Sequence, residues 1–341
     1  MKIKCIICEQ PNKLILKEKN PPLRKNNEAL LKINKVGICG TDFHAYNGNQ
    51  PFFTYPRILG HELASEIIEI EENKRGLKIG DKVVLVPFIS CDICYACLNG
   101  NNNCCPNIKV LGVHIDGGMQ EKISFPIKNL LPAQNLNDNE IVIIEPLSIG
   151  AHAIKRASLK PDETIVVLGC GPIGIGIMKI AKIIGCKVIS IDLNQNRLDY
   201  VKKEIKVDFA INLNDNPIEK IEKITKGNMA DSVFDATGNK GALESGPSYL
   251  CHGGKFILVG IYKGNLKFNH PYIHSKEITL LSSRNATIDD FKYVISIIDQ
   301  FPTESFITNN INFTKLISNF DNLINPENRV IKATINFTES K

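Results

Sequence analysis

"TIVVLGCGPIGIG" (residues 164–176) decides the fold. Residues 164–168 are an unbroken run of β-branched and aliphatic side chains, the composition of a strand buried on both faces. "GCGPIG" follows and sets Gly169, Gly171 and Gly174 in a G-x-G-x-x-G pattern. An apolar helical run continues to about Gly185, and "KVISID" makes the next strand, ending at Asp192. The fingerprint alone is a weak signal. Between a strand and a helix it predicts a dinucleotide-binding turn, where backbone N–H groups meet a pyrophosphate at the helix N-terminus. Asp192 lies 18 residues past Gly174, near where an acid holds the ribose hydroxyls. Its charge opposes a 2′-phosphate, so NAD is expected over NADP, with Arg197 read as a surface residue of the next helix.

Outward from this turn, "DFAINL", "DSVFDATG", "KFILVGIY" and "LLSSRN" continue an alternation of strand and helix. That alternation predicts an α/β fold with a doubly wound parallel sheet. "DATG" and "VGIY" close two strands near Gly238 and Gly260, on the side where ligands of such sheets gather. A chain of 341 residues exceeds one compact core and implies two domains.

Composition narrows the partners. Apolar residues are 43% and charged residues 23% of the chain, and the net charge of +5 comes from scattered Lys and Arg. No basic patch for nucleic acid and no membrane-binding run stands out. "MKIKCIICEQ" is too short of apolar residues for a signal segment, and Gly, Pro and three lysines interrupt the long apolar tract at 164–192. A cytoplasmic location with reduced thiols is expected.

Five of the eleven cysteines fall in "VPFISCDICYACLNGNNNCC" (86–105). Cys91, Cys94, Cys97 and Cys105 are spaced C-x2-C-x2-C-x7-C, which suits four thiolates around one tetrahedral zinc. A disulfide loop and an iron–sulfur cluster are the alternatives. Spacing favours Cys105 over its neighbour Cys104. With four protein ligands this site is structural, so the chemistry belongs elsewhere. "VGICGTDFH", "LGHE" and "IIEPLSIGAHA" offer Cys39, His61, Glu62 and Glu145, each beside a glycine or a tight turn. A thiolate, an imidazole and a carboxylate with one open position are a catalytic zinc set, and Asp42 is a candidate to orient the imidazole.

In this order, "GICGTDFH", "GHE", the cysteine loop and "EPLSIGAHA" resemble the zinc-dependent medium-chain alcohol/polyol dehydrogenases. The resemblance spans nearly the whole chain. It implies a GroES-like β-rich catalytic domain over 1–150, a Rossmann domain over 151–286, and a segment 287–341 that returns to the catalytic domain. It assigns catalytic zinc to Cys39, His61 and Glu145, with Glu62 as an exchangeable or outer ligand. It makes Thr41 the start and His44 the end of a proton relay, and places Lys332 on the cofactor pyrophosphate. A solvated edge lysine is the plainer reading of Lys332. The implied enzyme takes a small-molecule alcohol, transfers hydride to NAD, and assembles as a homodimer or homotetramer.

Glu145 stands where the best-known alcohol dehydrogenases have a second cysteine, which points to the sorbitol and sugar-acid branch. "LGVHIDGG" (111–118) and "SSRN" (282–285) resemble members acting on L-galactonate- or L-idonate-like acids. Arg284 is then a substrate-binding candidate, with an interface salt bridge as the alternative. Ala45, where sorbitol-type enzymes carry a tyrosine, disfavours plain sorbitol. L-Threonine 3-dehydrogenase and simple alcohol dehydrogenase remain competing activities, and an NAD-binding sensor or structural zinc protein is the non-enzymatic one.

Overall fold

The structure is a computed structural model and describes residues 1–324 and 330–337. Two compact units divide it: Met1–Pro146 with Thr287–Lys341, and Leu147–Ala286.

The second unit is one parallel sheet of six strands. Across the sheet they run Phe209–Asn212, Lys187–Asp192, Thr164–Leu168, Ala230–Asp235, Leu250–Leu258 and Thr279–Ser282. Thr164–Leu168 pairs with Lys187–Asp192 on one side and Ala230–Asp235 on the other. Chain direction across the sheet therefore reverses at this strand, and a crevice opens at its carboxyl end. Burial explains the apolar run: Ile165, Val166 and Val167 are fully buried. The helix Pro172–Ile184 starts directly after Gly171, with Pro172 at the first position, where its missing N–H costs nothing.

The trunk of the first unit is the long strand Glu28–Ile38. It pairs antiparallel with Glu62–Glu69, Lys122–Pro126 and Lys332–Asn336. Lys332–Asn336 also runs parallel to Ile307–Asn312, so the C-terminal segment is built into the N-terminal sheet. Leu31, Ile33, Val36, Ile67 and Phe125 form the core with Leu316, Phe320 and Ile335 from that segment. The sequence placed the first boundary at 150. The observed division after Pro146 falls inside the continuous helix Asp138–Ala157, where no loop signals it.

Among the described residues, no helix is long and apolar enough to cross a membrane.

Candidate metal centre and dinucleotide turn

At the end of the trunk strand the chain turns at Cys39, which precedes the helix Gly40–Tyr46. Asp42, almost fully buried, fixes this turn: its Oδ2 accepts from the Cys39 N–H at 2.9 Å. Its Oδ1 accepts from the Gly60 N–H at 3.1 Å and lies 3.9 Å from His61 Nδ1. One carboxylate thus ties together the two turns that carry Cys39 and His61, and it faces the imidazole as a charge rather than a hydrogen-bond partner. The glycine-rich 111–118 loop supports the same backbone. A Cβ on Gly117 would stand 2.4 Å from the carbonyl oxygens of Leu59 and Gly60.

The Cys39 thiol, a His61 ring nitrogen and a Glu62 carboxylate oxygen lie within 4.8 Å of one another. Glu62 is fully buried beside Gly37 on the trunk strand, and a Cβ there would come within 2.0 Å of Glu62 Oε2. Glycine at 37 is therefore the room in which this carboxylate sits. Nothing in the sequence pointed to it except a glycine inside a strand, which marks close approach.

Lys332 corrects the sequence expectation. Its Nζ is 1% exposed, 2.5 Å from both Glu62 oxygens, and 3.1 Å from the Ile38 carbonyl oxygen to which it donates. A lysine so engaged is not a solvated edge residue: its ammonium is committed to Glu62. Burial disfavours its charge, but Glu62, Cys39 and Glu145 outweigh that and raise its pKa.

Glu145 also differs from expectation. It is buried beside these groups, yet the tight donor set is closed by Glu62 and does not include it. Its charge acts on His61, whose burial is outweighed by Asp42, Glu145 and Glu62, so the imidazole pKa rises. Burial pushes the Glu145 carboxyl up to about 8 and the Cys39 thiol up to about 12. Three buried acids around one imidazole and one ammonium fit a dication, which would hold the acids as anions. Thr41 is half-buried in the first turn of Gly40–Tyr46, two residues past Cys39. His44 follows three residues later, exposed, on the same helix face.

The cysteine loop gathers its four expected thiols. Cys94 Sγ lies 3.4 Å from Cys97 Sγ and 3.9 Å from Cys105 Sγ, and Cys105 Sγ lies 3.5 Å from Cys91 Sγ. Sulfurs at the corners of a zinc tetrahedron are about 3.8 Å apart, given Zn–S bonds of about 2.3 Å. All eleven cysteines are free thiols, so the loop is not a disulfide, and Cys104 is exposed outside the cluster. The N–H groups of Ile93 and Cys94 lower the Cys91 thiol to about 6, favouring the thiolate a metal needs.

In the second unit, Gly169, Gly171 and Gly174 form the turn between Thr164–Leu168 and Pro172–Ile184. A Cβ on Gly174 would meet the Gly169 carbonyl oxygen at 2.0 Å, so turn and helix pack too tightly for a side chain. Asp192 Oδ2 accepts from the Cys170 N–H at 2.7 Å and Oδ1 from the Asn194 N–H at 2.8 Å. The carboxylate therefore stands at the mouth of the glycine turn. Arg284 lies two residues past the edge strand Thr279–Ser282, exposed at the carboxyl end of the sheet.

Residues 25–135 match the alcohol dehydrogenase GroES-like domain and residues 172–300 the zinc-binding dehydrogenase domain. An L-galactonate-5-dehydrogenase of Escherichia coli K12 is 39% identical over 97% of this chain and 98% of its own length. The chain belongs to the zinc-binding alcohol dehydrogenases. A sorbitol dehydrogenase of Bacillus subtilis 168 is 35% identical over 75% of this chain and 74% of its own. An alcohol dehydrogenase of Escherichia coli CFT073, solved with NADH, is 29% identical, covers 98% of this chain and 99% of its own, and superposes with a TM-score of 0.90. Membership in this family makes the molecule a zinc-dependent oxidoreductase with a nicotinamide cofactor and a small-molecule substrate.

Replacing Asp192 tests the cofactor turn. Asp192→Ala removes the acceptor of two N–H groups and the charge that repels a 2′-phosphate. The ratio of kcat/KM for NAD over NADP should fall about tenfold or more, the effect of losing a charged hydrogen bond. A parent enzyme that already uses both cofactors equally would remove this role from Asp192.

Proposed function

We propose that this chain oxidises a secondary hydroxyl of a sugar acid or closely related polyol, passing the hydride to NAD. The observation that carries the reading is the near full-length 39% identity to L-galactonate-5-dehydrogenase. The exposed Arg284 at the carboxyl end of the sheet supports it, because a guanidinium pairs with a carboxylate in bidentate fashion.

Cys39 and His61 would hold the catalytic zinc with a carboxylate from Glu62 or Glu145; Cys91, Cys94, Cys97 and Cys105 would hold the structural one. Bound at the first site, zinc supplies Lewis acidity that eases loss of the substrate hydroxyl proton. Asp42 keeps the Cys39 and His61 turns in register, and Lys332 offsets one of the buried anions. Thr41, beside the Cys39 thiol, takes the hydroxyl proton into its own hydrogen bonds. His44, one turn on and open to solvent, carries it away. NAD, once bound, would supply the hydride acceptor, taking hydrogen with two electrons from the substrate carbon as the alcohol becomes a ketone. The glycine turn at 169–174 and Asp192 position that cofactor.

A panel of aldonates, polyols, threonine and simple alcohols with NAD, run on the parent and on Arg284→Ala, tests the proposal. Aldonates should give the highest kcat/KM. Arg284→Ala should lower that value about 10–100-fold, the cost of a charge-assisted pair, and affect uncharged polyols less. Threonine or ethanol-like alcohols leading the panel would refute the substrate class, as would an equal loss on every substrate. NADH binding with no turnover across the panel would instead make the molecule a sensor.

A further inference from the structure

The "DATG" segment and the residue after it form a polar chain, running from the buried Asp235 to the exposed Thr237 and Asn239, that the catalytic scheme leaves unused. Asp235 ends the strand Ala230–Asp235, is fully buried, and pairs in register with Leu168, the last residue before the glycine turn. Its Oδ1 accepts from the Thr237 hydroxyl at 2.5 Å and its Oδ2 from the Gly238 N–H at 3.0 Å. The Thr237 oxygen in turn accepts from the Asn239 N–H at 2.9 Å. Asn239 Oδ1 then accepts from the Gly241 N–H at 2.8 Å, at the start of Lys240–Ser245.

The side chains of Asp235 and Thr237, with the Asn239 N–H that bonds the Thr237 oxygen, shape the backbone facing the glycine turn. The Ala236 N–H donates to the Leu168 carbonyl at 2.9 Å. The Thr237 methyl stands where a Cβ on Gly169 would come within 2.8 Å. Gly238 adopts φ +63°, and a Cβ on Gly260 would lie 2.1 Å from its nitrogen, so the next strand end is pressed against it. Residues 236–238 are thus the second wall of the crevice whose first wall is Gly169–Gly174. Burying a carboxylate is costly, and the bonds that Asp235 accepts from Thr237 and Gly238 offset part of that cost.

We propose that Asp235 is a positioning residue for the dinucleotide. Through Thr237 and Asn239 it holds the 236–238 wall at the spacing from the glycine turn that admits the cofactor. The inference rests on the reading that this crevice takes NAD(H), and it assigns Asp235 no contact with the cofactor.

Titrating the zinc-loaded protein with NADH, followed by NADH fluorescence, tests it in the parent, Thr237→Val, Thr237→Ser and Asp235→Asn. Thr237→Val keeps the branched shape and removes the hydroxyl, so the Kd for NADH should rise about tenfold, the effect of a lost hydrogen bond to a charged group. Thr237→Ser restores the hydroxyl and should bind as the parent does. Asp235→Asn, which cannot accept at both positions, should weaken binding at least as much as Thr237→Val, with KM for NAD rising more than kcat falls. Melting curves identify any variant that fails to fold, and Thr237→Val at the surface of the crevice keeps the test decisive if Asp235→Asn does. Parent-like NADH affinity in Thr237→Val, or equal losses in Thr237→Val and Thr237→Ser, would overturn the role of Asp235. A parent that does not bind NADH would instead overturn the cofactor reading beneath it.

Discussion

Lys332→Met is expected to destabilise the first unit by about 3–5 kcal/mol, the usual consequence of stranding one member of a buried ion pair. The side chain keeps its length and apolar stem, so the loss reports the charge. Glu62 is fully buried, and Lys332 is the cation within 2.5 Å of it. Denaturant unfolding at neutral pH measures the effect. Adding Glu62→Gln should recover much of it, because the amide has no charge to strand. A shift below about 1 kcal/mol, the scale of an exposed pair, would show that Lys332 is not the counter-charge of Glu62. So would a double variant no more stable than Lys332→Met alone.

Cys97→Ser should remove one zinc per chain and leave the other. A hydroxyl is a poor substitute for thiolate at a site where metal binding is itself folding free energy, of order 10 kcal/mol in small zinc domains. Metal analysis of purified protein should fall from about two zinc ions per chain to about one, with a lower melting temperature. Cys104→Ser, at the exposed neighbour outside the thiol cluster, should retain both ions. Equal zinc content in Cys97→Ser and the parent would overturn the four-cysteine assignment.

The legible parts of this protein were those whose chemistry is local in sequence. The glycine turn, its strands and Asp192 lie within one stretch of chain, and the fingerprint carries its own geometry. The cysteine loop is equally local: four thiols within fifteen residues have few ways to be arranged, and spacing alone separated Cys105 from Cys104. What escaped was non-local. Gly37, Glu62 and Lys332 meet only because three strands of one sheet pair in a particular register. No pattern along the chain shows that Glu62 will occupy the space Gly37 leaves, or that an ammonium 270 residues away will pair with it. Position in the chain suggested the pyrophosphate for Lys332; its pairing with Glu62 shows only in the fold. The order of Glu62 and Glu145 about the metal donors was hidden for the same reason. Asp235 was visible as part of "DATG", but its link through Thr237 to Asn239 depends on side-chain directions that sequence does not give.

The strand Lys332–Asn336 lies between Glu28–Ile38 and Ile307–Asn312, and this has a consequence for how the molecule is made. A ribosome delivers residues 147–286 as one uninterrupted piece, holding every strand of their sheet. The sheet around Glu28–Ile38 receives the member Lys332–Asn336 only after all of that piece has been made. Until then Glu62 has no ammonium opposite it, and the future metal donors wait in an incomplete layer. The order of synthesis therefore separates the two halves in time: the cofactor half can mature during elongation, while the metal half is completed after it.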